Sequence, residues 1–167
     1  CENSQIDPIR MRRLLCCLVA ALVLLLLTPG MAWAQVHQHE SETGVAMVRS
    51  LESLRDLDYD SWQAVAYREG PPGQPVVLRV VGYPGKLRLD HPVSLQVLAC
   101  RREWLLDDIT LANPVLASDG REAAAEFALD PLLDDLSNNR PLRMVLPGVF
   151  TELPVPPYVV GEWRSLQ

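Results

Sequence analysis

The chain has 167 residues, 15 of them basic and 21 acidic, for a net charge of −6. Without residues 1–34, the remaining 133 carry 12 basic and 19 acidic side chains, with Lys86 as the only lysine. An acidic body of that size suits one domain and argues against nucleic acid or an anionic lipid surface as partner, because binding either needs clustered positive charge.

Residues 1–10 (CENSQIDPIR) precede Met11 and read as an upstream, non-native extension. Residues 11–34 have the order of a secretory signal peptide. Met11-Arg12-Arg13 is a positive start, Leu14 to Leu27 is an unbroken apolar run, Thr28-Pro29-Gly30 breaks it, and Ala32-Trp33-Ala34 offers small residues for cleavage before Gln35. The apolar run is shorter than the ~20 residues of a membrane span, although Leu14 to Ala34 retained as an anchor is the competing reading. After cleavage no transmembrane span is expected. Cys1, Cys16 and Cys17 leave with the leader, so Cys100 is the one thiol of the mature chain. It ends the alternating run LQVLAC, which predicts a buried, inert thiol and no internal disulfide.

Residues 35–44 (QVHQHESETG) are polar without a period and predict a flexible tail; 45–167 predict a single β domain. Val45, Val48, Leu51 and Leu54 recur at helical spacing, but the segment runs into a hairpin-like stretch, which favours a strand. Alternating or β-branched runs bounded by Gly and Pro place strands near 62–68, 76–83, 86–90, 93–98, 123–129, 142–146 and 158–163. Asp130 as N-cap and Pro131 at the first helical position open one short helix over Pro131 to Leu136. Twelve prolines after residue 34 leave little room for long helices. The expected fold class is mainly β: an antiparallel β-sandwich or partly open barrel with one short helix. Trp62, Trp104 and Trp163 read as core.

Five segments carry a family resemblance: Ser53-Leu54-Arg55-Asp56, Ser61 to Val65 (SWQAV), Leu78 to Gly85 (LRVVGYPG), Asp90-His91-Pro92, and Leu153 to Tyr158 (LPVPPY) with Glu162-Trp163. Together they resemble an uncharacterised family of small exported cyanobacterial proteins, along nearly the whole chain after the leader. The resemblance implies a periplasmic or thylakoid-lumen address and a protein partner associated with the photosynthetic membrane. It implies no activity and carries no catalytic residues.

Catalytic signatures are scarce. A hydrolase could use only His91, with Asp90 or a distant acid, and no G-x-S-x-G elbow presents a serine; the plainer reading makes His91 a turn residue. No Cys-x-x-Cys, H-E-x-x-H or glycine-rich phosphate loop occurs. Adjacent acids Asp107-Asp108 and Asp134-Asp135 do not form a dyad by themselves, since neighbours on a strand face opposite ways. Asp56, Asp58 and Asp60 alternate as weak Ca²⁺ ligands would, without the glycine or distal glutamate of an EF-hand. The run LPVPPY either docks in an aromatic groove of a partner or forms a proline-protected edge. Finally, cleavage after Ala34 would leave Gln35-Val36-His37. An α-amine, two amides and a third-position histidine make a square plane for Cu(II) or Ni(II), with His39 as a secondary contact, unless Gln35 cyclises. The leading expectation is an exported non-catalytic interaction domain; the alternatives are a hydrolase at His91 and an N-terminal copper or nickel binder.

Overall fold

The computed structural model describes the backbone of His37–Glu40 and all of residues 45–167. Residues Ala34–Gln167 cluster as one compact unit. Nine strands are found among the described residues: β1 (His37–Glu40), β2 (Ala46–Arg55), β3 (Ser61–Glu69), β4 (Val76–Val81), β5 (Leu95–Ala99), β6 (Arg102–Leu106), β7 (Ala124–Ala128), β8 (Leu142–Leu146) and β9 (Phe150–Val155). Three helices join them: α1 (Pro114–Ala117), α2 (Asp130–Asp135) and α3 (Pro157–Arg164). The strands form two antiparallel sheets, ordered β1-β2-β3-β4-β7 and β6-β5-β8-β9.

The strands exist because alternate side chains have somewhere to go. Along β3, Trp62, Ala64 and Ala66 are buried; along β4, Val76, Leu78 and Val80; along β5, Leu95, Val97 and Ala99; along β8, Leu142, Met144 and Leu146. These inward rows meet in one core, so the fold is a sandwich and the barrel alternative falls away. Small alanines on β3 leave room for Trp62, whose ring meets Phe150 edge to face at 5.2 Å.

Four expectations are corrected. Residues 158–163 are helical, not a strand. Val159, Val160 and Trp163 are buried together at helical spacing, and Pro157 opens the helix where its missing N–H is not needed. On the inner side of β2, Glu162 of α3 accepts a hydrogen bond from Ser50, and buried Arg68 of β3 donates to the carbonyls of Leu166 and Gln167 just past its end. Residues 86–90 form no strand, because the Leu87 N–H bonds to the Glu122 carbonyl and no ladder continues. Within the expected flexible tail, His37–Glu40 pair with β2 as a strand, His37 opposite Arg49 and His39 opposite Met47. Asp130 does not cap α2; its carboxylate accepts from the Val76 N–H at 3.1 Å, tying the helix to β4. Two strands, β6 and β9, stand where none is predicted. Pro154 is tolerated in β9 because that strand is the edge of its sheet, consistent with the proline-protected-edge reading of LPVPPY.

The chain crosses between sheets at 82–94, 107–123 and 129–141. The first two crossings pack on the flank of β7 and build the sites below. Among the described residues, no helix is long and apolar enough to cross a membrane.

Candidate functional site

Residues 107–109 leave β6 and run along the free side of β7. The Ala128 N–H bonds to the Asp107 carbonyl, the Ile109 N–H bonds to the Glu126 carbonyl, and Asp108 forms a bridge opposite Phe127. This puts the Asp108 side chain inward, where only 1% of it is exposed. Its carboxylate is held by four donors. Oδ1 accepts from the Thr110 N–H at 3.0 Å and the Thr110 hydroxyl at 2.6 Å. Oδ2 accepts from the Val93 N–H at 2.9 Å and pairs with His91 Nδ1 at 2.6 Å. Burial pushes this carboxyl up, but the donors from Thr110, Val93 and His91 outweigh it, and its pKa lies below the ordinary aspartate value. An ionised carboxylate only accepts, so the proton shared with His91 belongs to Nδ1.

His91 therefore has one orientation, and nothing among the described residues hydrogen-bonds its Nε2. The ring lines a cavity of about 270 Å³ between the 87–91 crossing, the 110–120 segment and the start of β7. Leu87, Leu89, Leu111, Leu116, Ala123 and Ala124 line it together with Thr110 and Ser118, and the lining is more polar than apolar. Asp119 and Glu122 also line it, each bonded to an arginine, Arg121 and Arg88 respectively. The histidine's acid is thus Asp108, 17 residues away, and not Asp90. Of a hydrolytic set, the oriented base is present. Ser118 lines the same cavity, but its hydroxyl donates to the carbonyls of Pro114 at 2.9 Å and Val115 at 3.2 Å, so it is not paired with His91.

A second polar centre sits on the outer face of the five-stranded sheet. Arg79 and Glu126 are cross-strand partners on β4 and β7. Buried Glu126 accepts from Arg79 Nε at 2.8 Å, the Tyr67 hydroxyl at 2.6 Å and Asn113 Nδ2 at 3.1 Å. The Arg79 guanidinium also stacks 5.4 Å from the Tyr67 ring centroid. Burial, then the hydrogen bond to Glu126, push the Tyr67 phenol well above its ordinary value, so it is no base. This cluster floors a groove of about 750 Å³ walled by Val45, Pro71, Pro75, Val77, Ile109 and Pro114. Beyond the groove the same face carries Leu51, Val65 and Val81: Leu51 stands opposite Val65, and Val81 opposite Gln63.

A family model described as Protein of unknown function (DUF3122) matches residues 34–166. The chain belongs to the DUF3122 family. No curated protein and no solved structure matches it.

The remaining candidate residues of the DUF3122 domain find structural employment or lie outside the description. The Gln35 amine and the side chains of His37 and His39 lie outside the described residues. Among the described residues, no group of three His, Cys, Asp or Glu is placed to hold a metal. Asp56 is spent within its own turn: Oδ1 accepts from the Asp58 and Asp60 N–H groups at 3.0 and 2.9 Å, and Oδ2 from the Trp62 indole at 2.8 Å. Asp60 pairs with Lys86. Asp135 is more than a solvated acid, because it binds Arg102 at 2.9 Å and the Trp104 indole at 3.0 Å and so docks α2 on β6. Trp62 and Trp163 are core, and Trp104 packs half-buried against it. Cys100 is exposed, which corrects the buried reading. Ala99 is the last inward residue of β5, and Cys100 begins the turn to β6 with φ +51°. Sequence reasoning missed Tyr67, Arg79, Glu126 and Thr110. Tyr67 and Arg79 sit on the outward alternation of β3 and β4, the one signal that could have grouped them.

Proposed function

We propose that this DUF3122 protein is an exported, non-catalytic accessory domain that docks a protein partner through the outer face of its five-stranded sheet. One observation carries the reading. Leu51, Val65, Val77 and Val81 lie on a sheet face that no second sheet covers among the described residues, Leu51 44% exposed, beside a groove with apolar walls. Apolar side chains gathered on an open face favour association, since covering them removes roughly 25 cal/mol per Å² of apolar surface from water. The polar groups at the centre of that face, Tyr67, Arg79, Glu126 and Asn113, satisfy one another. Such a closed cluster stiffens a docking surface and offers no reactive group.

Export to a periplasm or thylakoid lumen is supported by the charge, apolar-run and small-residue order of residues 11–34. A photosynthetic-membrane partner rests on the resemblance to exported cyanobacterial proteins. Two measurements test the proposal. The mass of the protein recovered from its host should correspond to a chain starting at Gln35. Cross-linking in that host should yield a partner that is lost in the double variant Val65→Asp, Val81→Asp while the variant's thermal transition stays cooperative. The same cross-linked species with and without the substitutions would sink the docking reading.

A further inference from the structure

The His91 cavity is separate from the proposed docking face, and the chemistry of its polar lining is one-sided. The polar side chains that line it are His91, Thr110, Ser118, Asp119 and Glu122. None of them has a proton left to give. The Thr110 hydroxyl donates to Asp108 Oδ1 at 2.6 Å, and the Ser118 hydroxyl donates to the Pro114 carbonyl at 2.9 Å. The Nδ1 proton of His91 is held by Asp108, so in the neutral ring Nε2 is an acceptor with no partner among the described residues. Asp119 and Glu122 are carboxylates, which only accept. A ligand that brings acceptors therefore meets no free side-chain donor, whereas one that brings donors meets several acceptors.

Charge selects among donors. The two carboxylates line the cavity, but their partners Arg121 and Arg88 do not, and those arginine side chains are 76% and 77% exposed. Ion pairs with such exposed arginines are weak, so a competing cation can share the acids. Glu122 is the more available of the two, because Arg88 meets it at Oε2 while Arg121 grips both oxygens of Asp119. Asp108 adds a further negative charge behind the imidazole. A bare metal ion does not suit the cavity, since no group of three His, Cys, Asp or Glu among the described residues is placed to hold one. We propose that this cavity binds a small organic ammonium ion, whose N–H groups donate to His91 Nε2 and to the Glu122 carboxylate. A primary ammonium is a compact charge with three donors, which matches a lining made of acceptors. The inference does not depend on the docking reading, which concerns Leu51, Val65, Val77 and Val81.

The test uses four probes of similar size: propylammonium, tetramethylammonium, propanol and propionate. Each is titrated into the full chain at about pH 8, where a free imidazole is neutral and an alkylammonium is charged. Nitrogen-detected spectra follow the two ring nitrogens of His91. Propylammonium is expected to saturate and to move the Nε2 signal, with Nδ1 staying protonated. Tetramethylammonium has the charge without an N–H, and propanol has a donor without the charge. Each should bind more weakly by about tenfold, the value of one charge-assisted hydrogen bond, and propionate should not saturate. Glu122→Gln keeps an acceptor but removes the charge, and should weaken propylammonium by about tenfold. Glu122→Gly removes the carboxylate altogether at a position where φ is +49°, which glycine adopts freely, so the variant should fold and lose saturation. Absence of saturation by propylammonium, or saturation that leaves the Nε2 signal unmoved, would overturn the proposal. So would tetramethylammonium, propanol or propionate binding as tightly, or unchanged affinity in both Glu122 variants.

Discussion

Gly82 ends β4 in a sequence, Val81-Gly82-Tyr83-Pro84-Gly85, that reads as a turn, but its role is contact. A Cβ added at Gly82 would lie 2.5 Å from Cζ3 and 2.9 Å from Cε3 of Trp62. Carbon atoms prefer about 3.5–4.0 Å, so the indole or the strand must shift by about 1 Å. The indole has little freedom to do so. It is 2% exposed, its Nε1 donates to Asp56 at 2.8 Å, and its ring meets Phe150 at 5.2 Å. Overpacking of this kind costs roughly 1–3 kcal/mol, while replacing glycine by alanine restrains the unfolded chain and returns roughly 0.4–1 kcal/mol. Gly82→Ala should therefore destabilise by about 1–2 kcal/mol and lower Tm by roughly 3–8 °C. Gly120→Ala is the control, because a Cβ there meets nothing within 4 Å. Urea and thermal unfolding of both variants measure the difference. In a Trp62→Leu background the Gly82→Ala penalty should shrink, a coupling that a double-mutant cycle reads directly. Equal stability of Gly82→Ala and Gly120→Ala, or a penalty unchanged by Trp62→Leu, would refute the contact argument.

Asp108→Asn should cost about 2–4 kcal/mol at pH 7, because the amide keeps one accepting oxygen and turns an NH2 toward the donors of the other, either the Thr110 pair or the Val93 and His91 pair. The folded pKa of Asp108 lies below its unfolded value near 3.9, so its stabilisation is present above that pH and fades as pH falls through the folded value. The gap between wild type and Asp108→Asn in urea melts should narrow below about pH 4; a gap that widens there contradicts the assignment. Tyr67 carries the opposite sign. Its raised phenol pKa contributes stability below about pH 10 that is lost as pH rises through the folded value, so phenolate absorbance of the folded protein should lack the Tyr67 component, and Tyr67→Phe should leave the alkaline titration of the folded state unchanged. Cys100 should react with an aromatic disulfide reagent in the folded protein without denaturant, and Cys100→Gly should stabilise by about 0.5–1 kcal/mol by relieving φ +51°. A thiol silent until unfolding would show the turn is not as described.

The sequence by itself determined a mainly β, antiparallel class, sandwich or partly open barrel, and the positions of β3, β4, β5, β7 and β8, because their alternate residues are apolar and their ends are marked by Gly, Pro or Asp. It also made His91 the one histidine of residues 45–167. Tertiary structure decided what the local pattern left open. Tyr158 to Trp163 is β-branched and aromatic enough to pass for a strand; it is a helix because Val159, Val160 and Trp163 share one face that covers the core. Leu87 and Leu89 alternate like a strand, yet without a neighbour to complete the ladder they become cavity wall. Cys100 follows an alternating run and still faces solvent, because the chain must turn there. The choice of Asp108 over Asp90 as partner of His91 depends on residues 107–109 running beside β7, a pairing across the fold. Local residues set the period of each segment, whereas the partner that satisfies its hydrogen bonds and covers its apolar side lies far along the chain, and only folding brings the two together.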